Sequence, residues 1–309
     1  MEKTTQTLQS INCIAAEDPK SFIAHAESDF ERAVQTLAEK IRDTDGCKMI
    51  MLAGPSASGK TTTADMLTQT LSALGIKAHS ISIDNFYKDQ RESPSNHDGT
   101  PDYETVHALD LSLWSRCMND LLVKGKTQLP LFDFVTGRRS PQSLALDLGT
   151  NDLVIMEGIH ALNPLINEAI PHEKSLRVYI SVSSRVYAED GSVVLSKRNL
   201  RLIRRLVRDF RFRASSVENT FRLWESVLKG EDNYLFPYKY NADVFIDSTH
   251  GYEPCVFRDL AIPLLRTVPG NCTFCGLAGE LIARLESFEP LSAEMVPKNS
   301  LLREFIGDG

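Results

Sequence analysis

The residues best equipped for chemistry in this 309-residue chain are 54–61, which read GPSASGKT. Glycine, four variable positions, glycine, lysine and a hydroxyl residue is the spacing of a phosphate-binding loop. Backbone N–H groups of such a loop converge on an anion, and the helix that follows adds its positive N-terminal end. Gly54, Ser56, Ala57, Ser58, Gly59, Lys60, Thr61 and Thr62 are therefore the candidate contacts to a triphosphate. Lys60 is expected to reach the β- and γ-phosphates, and the Thr61 hydroxyl to hold Mg²⁺. Two acids end apolar runs, Asp84 after residues 76–83 and Glu157 after residues 153–156. In an open α/β sheet ligands lie beyond the carboxyl ends of the strands, so Asp84 falls beside the loop. Glu157, placed likewise, can serve the Mg²⁺ shell directly or through water.

A third cluster is basic. Arg198, Arg201, Arg204, Arg205, Arg208, Arg211 and Arg213 alternate with Leu200, Leu202, Ile203, Leu206 and Val207 in a helical stretch. Arg201, Arg205 and Arg208 share one face. Most charge runs end as solvated faces. Yet the planar guanidinium fork suits phosphate oxygens, and a helical lid over nucleotide phosphates would want such residues.

Positioning these groups requires a strand, a turn and a helix in register. Residues 48–53 read as a buried strand, and Ala64, Leu67, Leu71 and Leu74 recur at helical spacing after the loop. Further strands are expected at 76–83, 153–159, 176–182 and 242–247, with a helix over 109–123. Residues 89–102 are rich in turn formers. Residues 127–146 read as a β-hairpin turning at Thr136-Gly137-Arg138. Its Phe132 and Phe134 suit either stacking on a planar ligand or packing on the sheet. At the front, residues 1–17 are polar and unpatterned and are expected to be poorly ordered. Asp18-Pro19 then caps an amphipathic helix carrying Phe22, Ala26, Phe30, Ala33, Leu37 and Ile41. After residue 250 come a piece over 255–268, a helix over 277–288 and a tail.

Composition bounds the rest. Hydrophobic residues make up 42% and charged residues 24%, which suits a globular fold. There is no signal-peptide pattern and no long apolar run, so a cytoplasmic protein without membrane contact is expected. A net charge of −7 argues against bulk nucleic-acid binding. Six cysteines are expected as free thiols, and the Cys272/Cys275 pair supplies only half of a tetrahedral metal site.

The segments GPSASGKTT, DNFYKD, YETVHALD, PLFDF, MEGIHAL, RLVRDFRFR and YNADVFID together resemble the uridine kinase and phosphoribulokinase family, in its order and at compatible spacing. The likeness spans residues 47–250, and the ending NSLLREFIG looks like a bacterial nucleoside-kinase branch. It implies an α/β P-loop kinase fold, a parallel sheet flanked by helices, with the hairpin and an arginine-rich lid. Residues 1–46 and 251–309 would then be an N-terminal extension and a C-terminal helical extension packed on the core. It implies Asp84 as the base that takes the proton of a ribose 5′-hydroxyl, with Lys60 and Arg208 also catalytic. Tyr87, Glu104, Phe132 and Arg205 would bind the nucleoside, Phe132 against the base. Thr61, Asp84 and Glu157 would form the metal site, and Arg205, Arg208 and Arg213 would hold phosphates. Gly137 stands where the family has a base-contacting histidine, and Ser215 stands near a missing lid arginine.

The expected activity is Mg²⁺-dependent transfer from ATP or GTP to a nucleoside, uridine or cytidine first, by an enzyme that can form a homo-oligomer. The competing readings are a kinase of another hydroxyl compound, such as a sugar phosphate or pantothenate-like molecule, and a non-catalytic nucleotide-binding or RNA-associated regulator. A GTPase switch is disfavoured because no N-K-x-D motif occurs.

Overall fold

The structure, a computed structural model, describes residues 6–95, 99–134 and 136–308. Residues 1–5, part of the loop expected at 89–102, and Val135 of the expected hairpin lie outside that range. In chain order the elements are β1 (Gln6–Thr7), α1 (Leu8–Glu17), α2 (Pro19–Arg42), β2 (Met49–Ala53), α3 (Lys60–Ala73), β3 (Ala78–Ser82), α4 (Leu111–Lys124), β4 (Lys126–Asp133) and β5 (Arg138–Asp147). There follow β6 (Leu153–Glu157), α5 (Pro164–Asn167), β7 (Ser175–Ser181), β8 (Val186–Tyr187), β9 (Val193–Leu195), α6 (Lys197–Arg213) and α7 (Val217–Tyr234). The chain closes with β10 (Val244–Asp247), α8 (Glu253–Leu265), α9 (Cys275–Glu286) and α10 (Arg303–Ile306).

Five strands form a parallel sheet in the order β10-β7-β2-β6-β3. From β2 the sheet grows to β6 and β3 on one side and to β7 and β10 on the other. The crevice beyond β2 is thus where a ligand settles in such sheets. Every residue of β2 and β6 is buried, as expected of strands covered on both faces. Alternation then divides the core. Ile50 and Leu52 pack with α2, α3 and α6–α9, while Met49, Met51 and Ala53 pack with α4 and the β4–β5 hairpin.

β3 is shorter than the expected run because the Ser82 hydroxyl accepts from the Asp84 amide and turns residues 83–86 into a 3₁₀ turn. The front of the chain corrects the expectation of disorder as far as it is described. Thr7 and Ser10 form a reciprocal cap, α1 follows, and Ile11 and Ala15 are buried. Asn12 closes on the segment that follows α9, donating to the Ser287 carbonyl at 2.8 Å and accepting from the Glu289 amide at 2.9 Å. That partner lies 275 residues away, beyond the reach of local patterning. No helix among the described residues is long and apolar enough to cross a membrane.

Candidate active site

The loop between β2 and α3 owes its shape to two left-handed residues, Ala57 at φ 59° and Gly59 at φ 85°. Glycine takes that conformation at no steric cost, whereas alanine there is held by its surroundings. Gly54 lies behind the loop, where a Cβ would stand 2.3 Å from the Ile180 carbonyl. The buried Ser58 hydroxyl has no partner among the described residues. Lys60 donates to the Pro55 carbonyl at 3.3 Å across the loop.

A cavity of about 360 Å³ opens on this loop. Ser56, Ala57, Ser58, Gly59, Lys60 and Thr61 form its floor. Asp84, Tyr87, Glu104 and Glu157 face it from the strand ends, and Arg205, Arg208 and Arg213 from α6. Burial pushes Asp84 up to about 6 against the pull of Lys60, with Glu104 adding to the rise. It pushes Glu157 up to about 7, again opposed by Lys60 and assisted by Asp84. Glu104 is raised in the same way, with Arg205 opposing. Burial lowers Arg205 despite Asp209. Carboxylates in such a setting gain from any cation brought between them. The Thr61 hydroxyl and the acids Asp84 and Glu157 are hard oxygen donors, a set that fits magnesium completed by substrate phosphates. Among the described residues no three His, Cys, Asp or Glu side chains form a metal cage, Cys272 and Cys275 included.

Two of the expected contacts stand elsewhere. Thr62 lines a neighbouring cavity and donates to Glu304 at 2.7 Å. Phe132 is only 8% exposed and meets the rings of Tyr87, Tyr103 and Phe134 edge-on at 5.6, 6.1 and 5.1 Å. It packs in an aromatic cluster, whereas Phe134 is 64% exposed. Tyr87 is itself buried there, its hydroxyl donating to the Tyr103 carbonyl at 2.8 Å. Gly137 turns the hairpin at φ 65°, and a Cβ on it would stand 2.9 Å from Gln90 Oε1. A histidine at this position would therefore meet a strained backbone before it met a base.

The arginine helix divides along its length. Arg204 is fully buried, paired with Glu253 at 2.6 and 2.8 Å. Arg201 is equally enclosed, forming two hydrogen bonds to Glu231 at 2.5 and 2.8 Å. Glu231 also accepts from the Ser56 amide at 2.8 Å and so ties the Arg201 pair to the phosphate loop. Arg205, Arg208 and Arg213 gather on one acid, Asp209, at 3.1, 2.8 and 3.6 Å. Arg205 also reaches the Ser56 hydroxyl at 2.8 Å.

Several residues escaped the sequence reading. Asp209 was legible, four residues from both Arg205 and Arg213. Glu231 lies 175 residues from Ser56 and carries no local signal. Gly230 abuts Glu104, where a Cβ would meet the Glu104 Cβ at 2.4 Å. Glu304, from the chain end, lines the cavity beside Lys60.

The model of the phosphoribulokinase/uridine kinase family matches residues 49–252, about two thirds of the chain. The chain belongs to this family. It is accordingly a P-loop kinase, a phosphotransferase with an alcohol group as acceptor. A uridine kinase of Staphylococcus aureus (strain JH9) is 27% identical over 202 residues, covering 64% of this chain and 86% of its own length. Among solved structures, phosphoribulokinase from Rhodobacter spheroides aligns with a TM-score of 0.43 at 16% identity, covering 67% of this chain and 74% of its own. D-glycerate 3-kinase from Cryptococcus neoformans var. grubii aligns with a TM-score of 0.46 at 15% identity, covering 66% and 87%.

Proposed function

We propose that this kinase transfers the γ-phosphoryl group of ATP or GTP to the 5′-hydroxyl of a nucleoside, uridine or cytidine first. The reading rests on one observation: the phosphate loop, Asp84, Tyr87, Glu104 and three α6 arginines share a single cavity. In it Asp84 takes the proton of the attacking hydroxyl, and Glu104 and Tyr87 hold the sugar. Lys60, Arg205, Arg208 and Arg213 neutralise the charge that spreads over the phosphoryl oxygens. Thr61, Asp84 and Glu157 would hold Mg²⁺, which supplies further neutralisation when bound. Residues 47–250 carry this chemistry, with 1–46 and 251–309 as extensions laid on it.

A second reading, a kinase of another small hydroxyl compound, is favoured by the packing of Phe132 against neighbouring rings and by the absence of a side chain at Gly137. Both features remove means of gripping a base. A coupled ADP-release assay over uridine, cytidine, adenosine, guanosine and inosine, with sugar phosphates and pantothenate alongside, separates the two. Turnover of a nucleoside well above all other acceptors is the expected result. Turnover of a non-nucleoside alone would move the second reading to first place.

A further inference from the structure

A second cavity, of about 710 Å³, lies between α2, α3 and the end of the chain. Its size is ordinary for a small-molecule site, roughly 300–1,000 Å³. It adjoins the phosphate cradle. Glu304 lines both cavities, and the consecutive residues Thr61 and Thr62 line one each. Gln35, Gln69 and Asn299 bring side-chain amides to its wall, and Val34 and Met66 bring apolar surface. The contributions of α2 and the chain end lie outside the residues that match the family.

The order of groups in a nucleoside triphosphate gives this cavity an occupant. The γ-phosphoryl group must face Asp84, Tyr87 and Glu104, where the acceptor attacks. The loop lysine holds the β and γ groups, and the amides at the start of the helix hold those nearer the ester. The nucleoside part must then leave the cradle, and the Thr61–Thr62 step on α3 leads from one cavity into the other. At that step stands Glu304, held by the Thr62 hydroxyl at 2.7 Å. A carboxylate is a poor neighbour for phosphates and a good acceptor for the hydroxyls of ribose, a use that acidic residues serve in dinucleotide-binding folds. Beyond it, amides that both donate and accept match the edge of a base.

We propose that this second cavity holds the ribose and base of the donor, with Glu304 on the ribose hydroxyls and Gln35, Gln69 and Asn299 on the base. The donor's nucleoside part is then read by the two extensions of the chain. This rests on the reading that a nucleoside triphosphate is the donor.

The test uses the full chain with Mg²⁺ and two probes, a non-hydrolysable ATP analogue and inorganic tripolyphosphate, titrated by calorimetry. Gln69→Ala and Asn299→Ala, both at exposed positions, should each weaken the analogue by about 2- to 12-fold, the worth of one hydrogen bond. Glu304→Gln should weaken the analogue and leave tripolyphosphate unchanged or tighter. Lys60→Ala should weaken both probes. Unchanged affinity for the analogue in Gln69→Ala, Asn299→Ala and Glu304→Gln alike would overturn the subsite and leave the donor reading standing. So would equal losses for the two probes in those variants. Failure of the natural chain to bind the analogue at all would overturn the donor reading and the subsite with it.

Discussion

At the scale of single residues, Asp84 and Glu157 carry opposed demands. Burial holds both carboxyls well above their ordinary values of 3.8 and 4.5, at about 6 and about 7. A base must be ionised to accept a proton, so kcat/KM should rise with pH through about 6 and then level off. Asp84→Asn should retain ATP affinity while kcat falls on the order of 10²–10⁴-fold. A near-natural kcat in that variant would remove Asp84 from the proton transfer. Stability runs the other way. Since the folded values lie above the unfolded ones, both acids contribute stability that is complete below about pH 4. That contribution is lost as pH rises through 6 for Asp84 and 7 for Glu157. Glu157→Gln should therefore raise the Tm of the ligand-free protein at about pH 8 and change it little at about pH 4. Equal shifts at both pH values, read by thermal denaturation, would contradict this account.

At the scale of elements, α6 is two devices on one helix. Its first half is welded into the core by Leu200, Leu202, Ile203, Arg201 and Arg204. Its second half turns Arg205, Arg208 and Arg213 to the phosphate cavity. Arg201→Ala leaves Glu231 as an uncompensated buried charge and should cost about 3–5 kcal/mol of stability. Arg208→Ala leaves Asp209 with Arg205 and Arg213, so it should lower kcat and ATP affinity with a small change in Tm. Denaturant unfolding and steady-state kinetics on the two variants distinguish these fates. An unchanged kcat and ATP affinity in Arg208→Ala would remove the second half of α6 from phosphate binding. Helix α7 matters to the same cavity through Gly230. Gly230→Ala should drive Glu104 aside and raise the acceptor KM more than the donor KM. The reverse order of effects would separate Glu104 from acceptor binding.

At the scale of the whole molecule, the two ends of the chain are joined over the nucleotide loop. Glu27 of α2 accepts from the Ser300 hydroxyl at 2.7 Å and also from the Tyr252 hydroxyl. Leu301, Leu302, Phe305 and Ile306 are buried, and Leu301 packs on Gly59, where a Cβ would meet it at 2.5 Å. Phe305 lies over the Arg204 guanidinium at 5.1 Å. The C-terminal segment is thus part of the wall behind the phosphate loop. Leu301→Ala should cost about 2–5 kcal/mol, the range for emptying a buried leucine site, and should weaken ATP binding as the loop loses its backing. A loss of stability with ATP affinity intact would limit the segment to packing.

What the sequence determined by itself was whatever depends on neighbours along the chain. The spacing of 54–61, the apolar runs that carry Asp84 and Glu157 to strand ends, the Asp18-Pro19 cap and the 3.6-residue period of α2 are all local. The physics that reads them is local too: dihedral freedom, capping and alternation of burial. The hairpin was legible for the same reason, from turn residues between two extended runs. Only the tertiary structure decided that Arg201 and Arg204 of α6 are locked into buried pairs, because that depends on where Glu231 and Glu253 come to lie. It decided that Phe132 packs against Tyr87 and Tyr103, a choice the pattern left even between ring and ligand. It also decided the place of Glu304, brought 242 residues from Thr62 to a single hydroxyl. Such pairings are set by the closing of the sheet and its layers, and nothing in the spacing of a sequence encodes a contact made only after the chain has folded back on itself.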